Sequence, residues 1–113
     1  DISWYSPDGV PVTMEQWQDF YARCLGVLLA GDAGSELQPD GTPVDADSLF
    51  LIFNAHVGNV PFRIPRVSPG RRWSLEIDTA RVDREAGTSF AEFEEVVPVD
   101  ARSVRVYRLV RES

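Results

Sequence analysis

The chain has 113 residues, of which 43% are hydrophobic and 26% are charged, with a formal net charge of −7 and a single cysteine. This length suits one domain with its own core, so we expect residues 1–113 to form one domain. The acidic charge argues against a nucleic-acid partner. No apolar run approaches the ~20 residues of a membrane helix. A lone cysteine favours a reducing, cytoplasmic setting.

The N-terminal segment predicts a short strand, a turn and one helical turn. Residues 2–5 are aromatic and extended in character, and residues 6–9 read Ser-Pro-Asp-Gly, a composition typical of turns. Thr13 is a candidate N-cap, and Gln16 three positions later would complete a capping box. The chain starts with Asp1 rather than Met, so we expect it to be a fragment of a larger protein.

The middle of the chain predicts two strands around a long loop, and a third strand beyond them. Residues 24–29 and 49–54 are apolar runs typical of buried strands, and residues 31–47 between them read as loop, with a second Pro-Asp-Gly turn at 39–41. Residues 60–64 alternate in polarity. We expect them to follow residues 49–54, after a turn, in the same antiparallel sheet.

Residues 72–78 carry the clearest strand signature. Trp73, Leu75 and Ile77 alternate with polar residues, so all three are expected to point inward.

The C-terminal third predicts a loop and a last strand. Residues 79–95 are polar and acidic, and read mostly as loop. Residues 103–110 read as a strand whose apolar face switches parity near Tyr107, which a bulge or a two-sided edge would explain. With five or six strands and no βαβ unit, the fold class is all-β: an antiparallel β-sandwich with one short helical turn near the N-terminus.

An ordered series of short motifs resembles one known family. The motifs are DISWYSPDG at 1–9 with Met14 and Trp17, RCLGVLLAGD at 23–32, DSLFLIFNAH at 47–56, FRIP at 62–65, Trp73, Asp78-Thr79 and ARSVRVY at 101–107. In this order they resemble the C-terminal region of bacterial glycogen debranching enzymes of the isoamylase type, in the α-amylase superfamily.

This resemblance implies a β-sandwich that follows a catalytic (β/α)8 barrel in the same parent chain. The parent enzyme would hydrolyse α-1,6-glucosidic branch points in glycogen or limit dextrin. The family often has a second histidine or an acidic residue after Asn-Ala-His, where this chain has Val-Gly-Asn at 57–59. The family's catalytic acids lie on the barrel, and no position here matches their motifs.

The residues themselves also predict no catalytic site. The acids in polar segments read as solvated side chains: Asp45, Asp47, Glu92, Glu94 and Glu95. Cys24 lies in an apolar run, where a thiol acts as a small hydrophobe, and His56 is the only histidine. We therefore expect no catalytic residue, no metal site and no cofactor.

The aromatic residues are the candidates for contact with a ligand or another domain. Trp73 is expected in the core because of its alternating strand. Trp4, Tyr5 and Trp17 lie close together near the N-terminus, and with His56 they are the predicted contact residues. They would form a platform for a saccharide, or they would pack this segment against the barrel.

The sequence thus favours a noncatalytic C-terminal domain that stabilises the barrel of a glycogen-debranching enzyme. Two alternatives stay open. One is an autonomous glucan-binding module that uses Trp4 and Trp17. The other is an unrelated protein-interaction sandwich that uses an exposed edge strand.

Overall fold

The computed structural model of the chain describes residues 2–13, 15–16, 23–31, 47–68 and 70–111. The described ranges contain nine β-strands. In chain order they are β1 (Ile2–Tyr5), β2 (Pro11–Val12), β3 (Cys24–Leu29), β4 (Leu49–Asn54), β5 (Val60–Arg63), β6 (Gly70–Asp78), β7 (Ser89–Glu92), β8 (Val96–Val99) and β9 (Ser103–Arg111). Within the same ranges, no helix is both long and apolar enough to cross a membrane.

The strands pair antiparallel in two sheets. The larger sheet has seven strands in the order β2-β1-β3-β4-β9-β6-β7, and β5 and β8 form the smaller one. Buried apolar residues of both sheets join in one core cluster. The predicted all-β antiparallel sandwich is therefore confirmed.

Phe50 on β4 lies at the centre of this core. Its ring centroid is 5.6 Å from that of Tyr5 and 5.8 Å from those of Phe62 and Trp73. Since Phe62 belongs to β5, these ring contacts tie the two sheets together. Trp73 is fully buried, and its Nε1 donates a 2.9 Å hydrogen bond to the carbonyl of Pro65. The predicted core position of Trp73 is thus confirmed.

Several local predictions are also confirmed. β3 and β4 have the predicted bounds. The first turn closes with Gly9 N–H donating to the Ser6 carbonyl at 2.9 Å, and Gly9 has a φ of 80°. Thr13 and Gln16 exchange the two hydrogen bonds of a capping box, at 2.9 and 3.1 Å. The rest of the predicted helical turn, most of the 31–47 loop and the turn at 39–41 lie outside the described residues.

The predicted number of strands was wrong, because three short strands were missed. β2 has only two residues, and β7 lies in the polar stretch 79–95 that reads as loop. β8 contains Pro98, which sits opposite Pro61 of β5. Proline cannot donate to a sheet ladder, but a two-stranded sheet consists of edge strands, where the missing N–H is tolerated.

The path of the chain after β4 also differs from the prediction. β4 pairs with β3 and β9, whereas β5 pairs with β8 in the other sheet, so residues 55–59 carry the chain from one sheet to the other. The buried side chain of Asn54 stabilises this crossing. Its Nδ2 donates to the carbonyls of Val99 and Asp100 at 3.1 and 3.0 Å, and its Oδ1 accepts from His56 N–H at 2.9 Å.

Candidate interaction surface

The seven-stranded sheet has two apolar faces. Its inner face covers the core, as the alternating burial of β3 and β4 shows. Residues on the opposite face, here called the outer face, point away from the smaller sheet. Antiparallel sheets of soluble proteins more often have one apolar and one polar face, so the outer face is unusual.

One row of apolar side chains crosses six neighbouring strands of the outer face. The strand registers place its members directly opposite one another in sequence from β2 to β6: Val12, Trp4, Val27, Leu51, Val106 and Ile77. A shorter row lies on each side of it, Ile2-Leu29-Leu49 and Leu25-Phe53-Val104. With strands about 4.8 Å apart, the long row spans roughly 24 Å.

Part of this face is open to solvent. Ile2, Phe53 and Ile77 are 57%, 41% and 53% exposed. The β6 end of the face carries polar groups, where Arg108 Nε lies 3.7 Å from Glu76 Oε2. An apolar centre with charged groups at its border is typical of a surface that meets another protein or domain.

A bulge in β6 places Ile77 on the outer face. Leu75 is opposite Tyr107, whereas Ile77 is opposite Val106, so Glu76 is an extra residue between them. The extra residue reverses the alternation, and the prediction that Ile77 points inward is therefore wrong. β9 itself has no bulge near Tyr107: Val104 and Val106 lie on the outer face and Tyr107 on the inner face, so the apparent parity change reflects a strand that is apolar on both faces. β9 itself lies between β4 and β6 and is not an edge strand.

The structure separates the predicted contact residues. Trp4 and Tyr5 are neighbours on β1 and so point to opposite faces: Trp4 joins the outer row, and Tyr5 packs edge-on against Phe50. Trp17 lies outside the described residues. His56 follows β4, where its backbone N–H binds Asn54 and its carbonyl accepts from Arg102 N–H at 3.2 Å.

The candidate acids that lie within the described residues are on the surface. Glu92, Glu94 and Glu95 are exposed, and Glu94 forms a 3.1 Å ion pair with Arg66. Asp47 is exposed as well, and Asp45 lies outside the described residues. In the part of the chain that the structure describes, no three His, Cys, Asp or Glu side chains are grouped so that they could hold a metal ion.

Cys24 has the environment of a core residue rather than of a nucleophile. It is 2% exposed on the inner face, and burial raises the pKa of its thiol to about 11. The thiol therefore stays protonated at neutral pH, as expected for a small hydrophobe.

Comparison with known proteins gives one family and a set of relatives. Residues 1–110 match the family described as "Isoamylase, C-terminal". The chain is also 38% identical over 79 residues to proteins named "Glycogen operon protein GlgX homolog" from Mycobacterium bovis and Mycobacterium tuberculosis. Each alignment covers 70% of this chain and 11% of the relative. The chain thus spans about a tenth of the length of the curated relatives that it matches.

Proposed function

Because the chain belongs to the isoamylase C-terminal family, we propose that residues 1–113 form the noncatalytic C-terminal domain of a glycogen-debranching enzyme. The parent enzyme would hydrolyse α-1,6-glucosidic branches in the cytoplasm. This domain would stabilise the parent's catalytic barrel by packing its outer face against the rest of the parent chain.

The observation that carries the proposal is the outer face itself. Among the described strands, the two sheets pack through the inner face, and this packing does not require an apolar row across six strands on the other side. In water, such a row favours a partner that removes it from solvent. The relatives are about nine times longer than the matched segment, so the rest of the parent chain supplies a partner that is always present.

Trp4 has a specific place in this proposal. It lies in the outer row between Val12 and Val27, where it would be an aromatic anchor of the interdomain contact. Contacts from Trp17 and His56 stay predictions.

The test is a pair of substitutions in the full-length protein that contains this chain. Phe53→Thr and Ile77→Thr place a β-branched residue of high strand propensity in each strand but remove apolar surface that is open in this chain. We expect the double variant to lose its α-1,6-glucosidase activity at a lower temperature than the wild type. Its activity per native molecule should be unchanged, since neither residue belongs to a catalytic site.

The matched control is Val82→Thr, because Val82 is 85% exposed and lies outside the strands. Its inactivation temperature should equal that of the wild type. Equal inactivation temperatures for all three proteins would contradict the proposed packing. A full-length protein with no activity on branched glucan, or hydrolysis by the 113-residue chain alone, would contradict the proposed function.

A further inference from the structure

A cavity of about 280 Å³ opens between the two sheets, on the side away from β1 and β2. Apolar side chains from both sheets form part of its wall: Leu75, Ala91, Val97 and Pro98. Ligand sites in proteins are commonly ~300–1,000 Å³, so this cavity is at the small end. Its size fits one ring-sized ligand rather than a long chain.

Two polar side chains that line this cavity, Tyr107 and Arg105, are largely buried. Tyr107 is 2% exposed, and its Oη accepts a 2.8 Å hydrogen bond from Arg105 Nη1. The hydroxyl has its own proton to donate as well. Burial raises the pKa of Tyr107, so the proton is retained at neutral pH.

Arg105 is held in place by Asp78. Its Nε lies 3.3 Å from Asp78 Oδ2, with side chains only 11% and 1% exposed. The distance fits an ion pair, although the geometry does not make a hydrogen bond, so both atoms keep unused hydrogen-bonding capacity. Arg105 lines the cavity and Asp78 does not, so the buried guanidinium is the member of this pair that a hydrogen-bonding ligand would reach.

The outer part of the cavity adds donors and acceptors. Arg84 donates from Nη1 to Ser89 Oγ and has further N–H groups, since a guanidinium carries five. Glu95 accepts from Glu92 N–H through Oε1, and its second oxygen is an additional acceptor. Counting Asp78, the two arginines are balanced by two carboxylates. The net charge of the site therefore favours neither an anion nor a cation.

We propose that this cavity binds a neutral sugar ring, and specifically one glucosyl residue of an α-glucan. Tyr107 and Glu95 would bind neighbouring hydroxyls as donor and acceptor, and Arg84 would bind a third. The apolar wall would contact the C–H groups of the ring. The choice of glucan as the source of the sugar rests on the proposed function.

The test measures maltose binding to the full-length protein by isothermal titration calorimetry. Two variants remove one hydrogen-bonding group each with little change in shape: Tyr107→Phe and Glu95→Gln. We expect one class of maltose site to weaken at least tenfold in both. The control is Glu94→Gln, since Glu94 is adjacent in sequence but does not line the cavity. It should bind maltose as the wild type does.

The outcomes separate this inference from the proposed function. Maltose binding that neither substitution weakens would overturn the sugar site. Inorganic phosphate is used as a second probe. If both substitutions change phosphate binding but leave maltose binding unchanged, the sugar site is also overturned. Hydrolysis of branched glucan is measured on the same wild-type sample. If the protein hydrolyses branched glucan but neither substitution weakens maltose binding, only the sugar site is contradicted. If both substitutions weaken maltose binding but the protein does not hydrolyse branched glucan, only the proposed function is contradicted.

Discussion

The two faces of β4 differ in burial but not in apolar character. On the inner face, Phe50 and Ile52 are fully buried. On the outer face, Leu49 and Leu51 are half-buried, and Phe53 is 41% exposed. Within the part of the chain that the structure describes, contact between the two sheets explains the apolar character of the inner residues alone. A second surface that covers the outer residues would explain their apolar character. In the proposed function, the rest of a longer parent chain provides that surface.

The largest expected contrast comes from neighbouring positions of β4. Phe50→Ala removes a ring in contact with three other aromatic rings and should reduce the free energy of unfolding of the chain by about 3–5 kcal/mol. Leu51→Ala, one residue later on the half-buried outer face, should cost about 1 kcal/mol. Urea unfolding of the 113-residue chain measures both. Equal losses would show that the two faces are equally buried.

A second contrast concerns the tight packing of the inner face. A Cβ at Gly26 would lie 2.5 Å from Phe50 Cζ and 2.8 Å from Phe62 Cζ, closer than the two rings allow. Gly26→Ala should therefore destabilise the chain by about 1–3 kcal/mol. Gly58→Ala is the matched control, since no heavy atom lies within 4 Å of a Cβ at this position. A near-zero effect at Gly26 in thermal unfolding would contradict the described core.

Alkaline pH should lower the free energy of unfolding of the chain, because Cys24 is buried on the inner face. The folded chain holds the pKa of this thiol at about 11, against 9.0 as its ordinary value, so the unfolded chain loses the proton first. Stability is then complete below pH 9 and falls between pH 9 and 11, by about 2 kcal/mol at pH 11. Cys24→Ala should remove this part of the pH dependence. If the free energy of unfolding falls with pH equally in the wild type and in Cys24→Ala above pH 9, the effect is ruled out.

The sequence predicts the strands that are apolar runs with sharp ends. It misses short strands that form only because another strand pairs with them. The apolar runs of β3 and β4 have sharp ends, and their predicted bounds hold. β8 contains Pro98 and exists because β5 pairs with it. The alternation of residues 72–78 predicts three inward residues, but it does not reveal the extra residue at Glu76.

The candidate surface could be predicted only in part. The aromatic, N-terminal setting of Trp4 predicts a contact residue; the structure places Trp4 in the outer row, and the contact itself stays a prediction. The other members of the row come from strands far apart in the sequence. They share a face only through the registers of β3, β4, β9 and β6, which residue patterns along the chain do not contain. The cavity depends likewise on residues of both sheets.

The proposed packing of the outer face can be tested by comparing its accessibility in two settings. Ile77→Cys is introduced into the 113-residue chain and into the full-length protein, and maleimide labelling at residue 77 is followed by peptide mass spectrometry. Val82→Cys is the control for exposure in both settings. We expect fast labelling at 77 in the chain and labelling at least tenfold slower in the full-length protein, with equal rates at 82. Equally fast labelling at 77 in both would contradict the proposed packing.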